Sequence, residues 1–491
     1  MNLADSRLKG LDSSNLTTDE RALLRCQVAS ELIHTGQYEA AREVLDDLWR
    51  GIGVRPNIEG LMEPTMAEVL LQCGALSGWL GTSKRIEGAQ DAAKDVISEA
   101  LRLFEAHGQQ NGVVEAQYEL GMCYWRSGAL DEARVVLREA AGKLGEKDIK
   151  QRAKILIRST LVEVSAGRYH DALKILDEAE PVFKVASDAL KGRWHAQMAV
   201  VLRRLGTAEK RTDYFDRAII EYTAAIFHFG QAKHERYRAN NENNLAFLLY
   251  KLGRYSEAHQ HLDQAQRIFT QLNDAGNLAQ VRESRARVFL AEKRYEKATD
   301  AIQGAIGTLE RAGEQALLAD ALKVQAIIEA KRGYHYLSLP TFRRAVKVAE
   351  DAGALESAGL AALSMLEEHG VTRLSEVEVY EAYCRADDLL RQTQDAEAIA
   401  RLRASARLVA QRLAGERMGA DFSFPEVIQT YEAKFIKRAL RDAGGSVSRA
   451  AKRLGISYQR LTYLLEGRHK DLLQDRRPVV KRGRSVIKKR T

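Results

Sequence analysis

Seven positions separated by 40, 39, 46, 40, 40 and 40 residues constrain this chain more than any other feature: Ala93, Ala133, Ala172, Ala218, Ala258, Ala298 and Ser338. Seven residues after each stands another alanine, at Ala100, Ala140, Ala179, Ala225, Ala265, Ala305 and Ala345. Between them, four residues on, come Ile97, Leu137, Leu176, Tyr222, Leu262, Ile302 and Phe342. This spacing puts all three positions on one helical face, where small residues let a neighbouring helix approach and the larger one fills the gap. The strings that lead into this pattern are themselves alike: GQYEAA at Gly36, GALDEA at Gly128, GRYHDA at Gly167, GRYSEA at Gly253 and KRYEKA at Lys293. A glycine there suits the left-handed residue that ends a preceding helix. Each unit is thus expected to be a helix, a tight turn and a helix, and such units bury their apolar faces by stacking into an α-solenoid.

The pattern resembles the tetratricopeptide repeat, whose signature residues are the turn glycine, the aromatic two residues later and the alanines. The unit here is about six residues longer than the usual 34, which implies longer helices, and a closing proline is present only at Pro181. The array is expected over residues 20–412. The resemblance implies a surface for a protein or peptide partner, lined by the first helix of each pair. Ahead of the Gly253 motif that helix reads RYRANNENNLAFLLYKL. Four asparagines in five residues cost helix stability, and amide side chains on a groove wall can hydrogen-bond an extended peptide. Asn240, Asn243 and Asn244 are therefore the candidate partner-binding residues, with capping at a helix start and bonding between helices as the competing reading. The 46-residue interval is assigned to TAEKRTDYFDR after Gly206, an expected surface loop that could alternatively serve a partner.

Charge separates the C-terminal end from this body. From Asp421 to Thr491 there are 18 Lys and Arg against 7 Asp and Glu, a net of +11, whereas the remainder holds 57 basic and 60 acidic residues, a net of −3. Such asymmetry points to nucleic acid or another acidic partner for the basic part. The sequence contains no HExxH, no P-loop, no dinucleotide-binding glycine motif and no G-x-S-x-G. His259 and His261 are two apart, poor geometry for a shared metal, so no enzyme activity, metal or cofactor is expected. Cys26, Cys73, Cys123 and Cys384 lie far apart and read as reduced core residues. With no apolar run of membrane length and no signal-like start, the expected location is the cytoplasm, in association with the nucleoid.

Near the C-terminus stands GGSVSRAAKRLGISYQRLTYLLEGRHKDLL, from Gly444 to Leu473. Pro425 is placed to start a first helix with an apolar stripe of Ile428, Tyr431, Phe435, Ala439 and Leu440. Ser446 caps a second, Gly455 turns the chain, and Ser457 caps a third that buries Leu461 and Leu464. A small residue at the crossing, Ala451, a turn glycine and leucines beneath the last helix are what a sharp helix-turn-helix needs. The string resembles the C-terminal DNA-binding helices of the Fis family and of NtrC-type bacterial activators. The matching residues are Gly445, Ala450, Ala451, Leu454, Gly455, Ile456 and Leu461, within about Pro425 to Leu472. The early helix position usually held by Arg, Asn or Gln is Tyr458, and the usual basic pair near the end is Leu464 and Leu465. No ATPase domain of the NtrC kind is visible, so only the DNA reader carries over.

The fold expected is all-α: an α-solenoid of tetratricopeptide-like helix pairs, a small helix-turn-helix domain at 425–473 and a basic, disordered tail at 474–491, with 413–424 as linker. The function expected is that of a bacterial-type transcription regulator that binds sequence-specific double-stranded DNA and docks a protein or peptide on its array, a homodimer being left open. A protein–protein adaptor whose basic end binds RNA or another acidic partner is the second reading. Gln459, Arg460 and Tyr463 are the expected base readers, with Tyr458 and Thr462 on the same helix. Ser446, Ser448, Arg449, Lys452, Ser457, Arg468, His469 and Lys470 complete the candidate DNA contacts, and Lys481, Arg482 and Arg484 in the tail supply affinity of a less specific kind.

Overall fold

The small–large–small pattern lies in the second helix of each of seven consecutive pairs. Those second helices are Ala89–Ala106, Leu130–Gly142, Tyr169–Lys184, Thr212–Gln231, Tyr255–Gln271, Tyr295–Ala312 and His335–Asp351. In this computed structural model, which describes residues 16–34, 37–84, 86–145, 148–370, 373–414 and 423–475, all of these pattern positions are at most 2% exposed. Ser338 keeps its place among the alanines because its hydroxyl donates to the Ala326 carbonyl at 2.7 Å. Among the described residues there are 22 α-helices and no strand. No described helix is long and apolar enough to cross a membrane.

The turns work as the glycines predict. Gly128, Gly167 and Gly253 take φ of 78°, 70° and 76°, and Lys293 holds the equivalent left-handed position at 61° without the freedom of a glycine. Successive pairs share apolar cores, one of which runs without interruption from Tyr169 to Val288.

The segment after Gly206 is not a loop, which corrects the expectation. Thr207 to Glu209 continue the helix Asp188–Glu209, Lys210 turns the chain at φ 55°, and the next helix starts at Thr212. The extra residues lengthen both helices, to 22 and 20 residues. Gly206 is a close-approach residue instead of a turn residue: a Cβ there would stand 2.7 Å from the Phe215 ring.

The chain divides into two compact units, one formed by 1–358 with 392–399 and the other by 359–391 with 400–491. The second unit contains the helices Phe424–Asp442, Val447–Arg453 and Tyr458–Glu466, followed by a 3-10 turn at Lys470–Asp475. Ile436, Leu440, Ala450, Ala451, Leu461 and Leu465 form their core. Two registers differ from the expected ones. Ile436 rather than Phe435 is buried, because the stripe follows 436, 439, 440 and 443, and Phe435 stacks on Tyr380 with ring centroids 6.1 Å apart. Leu465, one turn after Leu461, is fully buried, while Leu464 is only partly so. Residues 415–422 of the expected linker and 476–491 of the expected tail lie outside the described residues.

Candidate nucleic-acid interface and partner-binding face

The third terminal helix is fixed at its start and along one side. Gly455 turns the chain at φ 66°, and the Ser457 hydroxyl accepts from the Arg460 amide at 3.1 Å, capping the helix. Leu461 and Leu465 anchor the buried side. At 100° per residue, Gln459, Arg460 and Tyr463 fall within one third of the circumference, facing away from those leucines. All three are exposed, Tyr463 at 77%. An amide, a guanidinium and a phenol on one outward helical face have the donors and acceptors needed to read base edges in a major groove. Tyr458 at the helix start is exposed but off that face, on the side of the leucines, whereas the Thr462 hydroxyl is buried without a hydrogen-bond partner among the described residues.

The preceding helix presents Ser448, Arg449 and Lys452 to solvent, and Ser446 starts it with extended backbone but no side-chain cap bond. Arg468 and Lys470 are exposed. His469 is not: it is 1% exposed, with its Nε2 3.1 Å from Glu432 Oε2, so it ties the 3-10 turn to the first helix instead of offering a surface group. Lys481, Arg482 and Arg484 lie outside the described residues. Arg460 also has a neighbour that sequence spacing gives no hint of, Asp388 in the helix Glu376–Leu389, whose Oδ2 is 3.7 Å from Nη1.

On the array, the asparagine cluster lies within the helix Glu235–Lys251, whose N-cap is His234, so capping does not account for it. Asn240 is half-buried, Asn244 is exposed, and the Asn243 Oδ1 is buried without a hydrogen-bond partner among the described residues. Asn241 is used internally, donating to the Tyr237 carbonyl at 2.8 Å. His259 and His261 diverge as their spacing predicts, one toward Glu292 at 3.2 Å and the other toward Glu242 at 2.6 Å. Among the described residues no group of three or more His, Cys, Asp or Glu could hold a metal ion. Sequence reasoning missed the charges buried in the first helices, Glu119, Glu163, Glu242 and Lys323. Their signal was a charged residue where the helical pattern asks for an apolar one.

Residues 237–311 and 114–142 match models of the tetratricopeptide repeat, and residues 428–466 match the model of the bacterial regulatory protein, Fis family. No curated protein sequence matches the chain. Among solved structures, the apo form of RapI is 14% identical over 59% of this chain and 99% of its own, with a TM-score of 0.45. The apo quorum sensor NprR from B. thuringiensis is 15% identical over 70% of this chain and 92% of its own, with a TM-score of 0.49. Yeast Tom70 is 13% identical over 84% of this chain and 85% of its own, with a TM-score of 0.45. The chain thus carries tetratricopeptide repeats and, toward its C-terminal end, a Fis-family helix-turn-helix domain.

Proposed function

We propose that the protein is a transcription regulator in which the terminal helix-turn-helix reads a specific DNA sequence and the repeat array docks a protein or peptide partner that modulates it. The observation that carries this reading is the outward face of Gln459, Arg460 and Tyr463 on a helix anchored by Leu461 and Leu465. The local excess of positive charge supports the same partner, since phosphate contacts supply affinity and base contacts supply discrimination. In this reading Ser448, Arg449 and Lys452 hold backbone phosphates, while Asn240, Asn243 and Asn244 meet the partner. The test is selection of bound duplexes from a random pool by the full chain, followed by titration of the recovered motif and a scrambled duplex at several salt concentrations. Recovery of a motif bound at least tenfold more tightly than the scramble supports the reading, and equal binding of both refutes sequence-specific recognition.

A further inference from the structure

Residues 392–399 run QTQDAEAI and belong to the compact unit of the array, although the residues on both sides of them belong to the other unit. Each of the four residues Thr393, Gln394, Asp395 and Glu397 is held by a residue of the array. The Asp395 carboxylate pairs with Arg204 on the helix Asp188–Glu209, and the Glu397 carboxylate is 2.7 Å from Lys251 Nζ at the end of the helix Glu235–Lys251. The Gln394 carbonyl accepts from the Tyr169 hydroxyl at 3.2 Å, and Thr393 donates to Glu356 at 2.9 Å. At the turn residue Gly167 a Cβ would stand 3.1 Å from Gln394 Cβ, so the segment lies directly against the backbone there. Asp395 accepts from the Ala398 amide at 2.8 Å at the start of the helix Ala396–Ala414, and Glu397 lies in its first turn. A main-chain carbonyl and two carboxylates two residues apart are features that an acidic peptide entering a helical turn can present.

The segment fills only part of what the array offers. Gln392 and Gln394 border a cavity of about 780 Å³ that is also lined by Trp125, Arg126, Asp131 and Arg168. The Arg126 guanidinium lies over the Trp79 ring at 3.9 Å, and its three nitrogens are buried without a hydrogen-bond partner among the described residues. Outside the terminal segment the chain carries a net charge of −3, so Arg126, Arg168, Arg204 and Lys251 along this strip are not a general basic background. The pairs that hold the segment are partly exposed, and pairs of that kind contribute little each. Covalent tethering keeps the segment in place through its high effective concentration, and a partner with a better-fitting peptide can exchange with it.

We propose that this face of the array is a binding site for an acidic peptide, and that Gln392–Ile399 occupies it as an internal ligand which a partner's peptide displaces. The inference rests on the reading of the array as a partner-docking module and names the chemistry of the partner. The segment follows the helix Glu376–Leu389 and ends in the first turn of the helix Ala396–Ala414, so its displacement frees the start of that helix.

The test uses the full chain, a labelled synthetic peptide QTQDAEAIA and the same peptide with both carboxylates replaced by amides, read by fluorescence anisotropy. Asp395→Asn combined with Glu397→Gln should open the site, so that the acidic peptide binds this variant at least tenfold more tightly than the unaltered protein and the neutral peptide binds neither. Adding Lys251→Glu should abolish binding of the acidic peptide and restore it for a peptide with lysine in place of the glutamate. This charge exchange separates recognition from damage to the fold. Failure of the opened variant to bind the acidic peptide, or equal binding of acidic and neutral peptides, overturns the proposal. Titration of the same samples with specific and scrambled DNA separates the two readings. Sequence-specific DNA binding without peptide recognition overturns this inference alone, and peptide recognition without DNA discrimination overturns the assignment of the terminal helices alone.

Discussion

Glu119 lies in a first helix of the array with its carboxyl buried, and burial pushes its pKa up to about 7 despite the opposing pull of Arg126 and Arg158. The folded chain therefore keeps a proton that the unfolded chain releases near the ordinary carboxylate pKa. Between those two values the folded state binds more protons, so stability is greatest below the unfolded pKa and is lost as pH rises to about 7. The loss is on the order of 1 to 3 kcal/mol. Glu119→Gln should remove it: urea unfolding should be less sensitive to pH between about 5 and 8, with the variant more stable than the parent at the upper end. An unchanged pH slope would mean that other groups carry the dependence. Lys293 presents a backbone cost of a different kind. A non-glycine residue in the left-handed region costs roughly 1 to 2 kcal/mol, which the greater freedom of glycine in the unfolded chain partly cancels. Lys293→Gly should stabilise the array by up to about 1 kcal/mol, measured by denaturant midpoint, and a lowered midpoint would show that the lysine side chain contributes more than its backbone costs.

At the scale of helices, what was legible depended on whether the determinant was periodic. The seven second helices could be read because each repeats the same small–large–small face, and every one of those positions is buried. The first of the three terminal helices carries Phe435 and Ile436 side by side, and apolar spacing alone does not choose between adjacent registers; Ile436 is the one that joins the core with Ala451 and Leu461. Leu464 and Leu465 posed the same ambiguity. The residues after Gly206 read as a loop because they interrupt the interval, yet Thr207, Ala208 and Glu209 are compatible with a helix and extend one. His469 was expected among the DNA contacts, and its partner Glu432 is 37 residues away with no motif connecting the two. The bonds of Gln392–Ile399 to Lys251, Arg204 and Tyr169 span between 146 and 225 residues, and nothing periodic announces them. The third terminal helix was the most legible part of the candidate site: Leu461 is buried as expected, and with Leu465 in place of Leu464 the face of Gln459, Arg460 and Tyr463 still points outward. Core and surface substitutions there should separate cleanly. Leu461→Ala should destabilise the terminal helices by about 2 to 5 kcal/mol, seen as early loss of helical signal on heating. Arg460→Ala should leave melting unchanged and reduce discrimination between the preferred and scrambled duplexes by about 1 to 3 kcal/mol. Full discrimination in the arginine variant would remove that residue from the reading face.

For the whole molecule the governing quantity is the partition of charge, +11 from Asp421 onward against −3 elsewhere. A protein with this distribution is drawn to DNA through one end, while its slightly acidic body gains nothing from approaching phosphate. Eight of the positive charges lie between Arg476 and Arg490, where no acidic residue offsets them. They follow the helix-turn-helix without repeating its pattern, so in the proposed reading their contribution to affinity comes mainly from displacing counterions and carries little sequence information. Gln459, Arg460 and Tyr463, by contrast, stand on a capped helix, and the proposed reading assigns discrimination to them. Ending the chain at Asp475 should therefore weaken binding to specific and scrambled duplexes by similar factors, leaving their ratio nearly intact. The plot of log affinity against log salt should become shallower by roughly 0.9 for each DNA phosphate that the shortened chain no longer neutralises. If the shortened chain kept the original salt slope, phosphate neutralisation would belong to Arg449, Lys452 and their neighbours. If discrimination fell along with affinity, the tail would be reading sequence, and the outward face of the third helix would need another role.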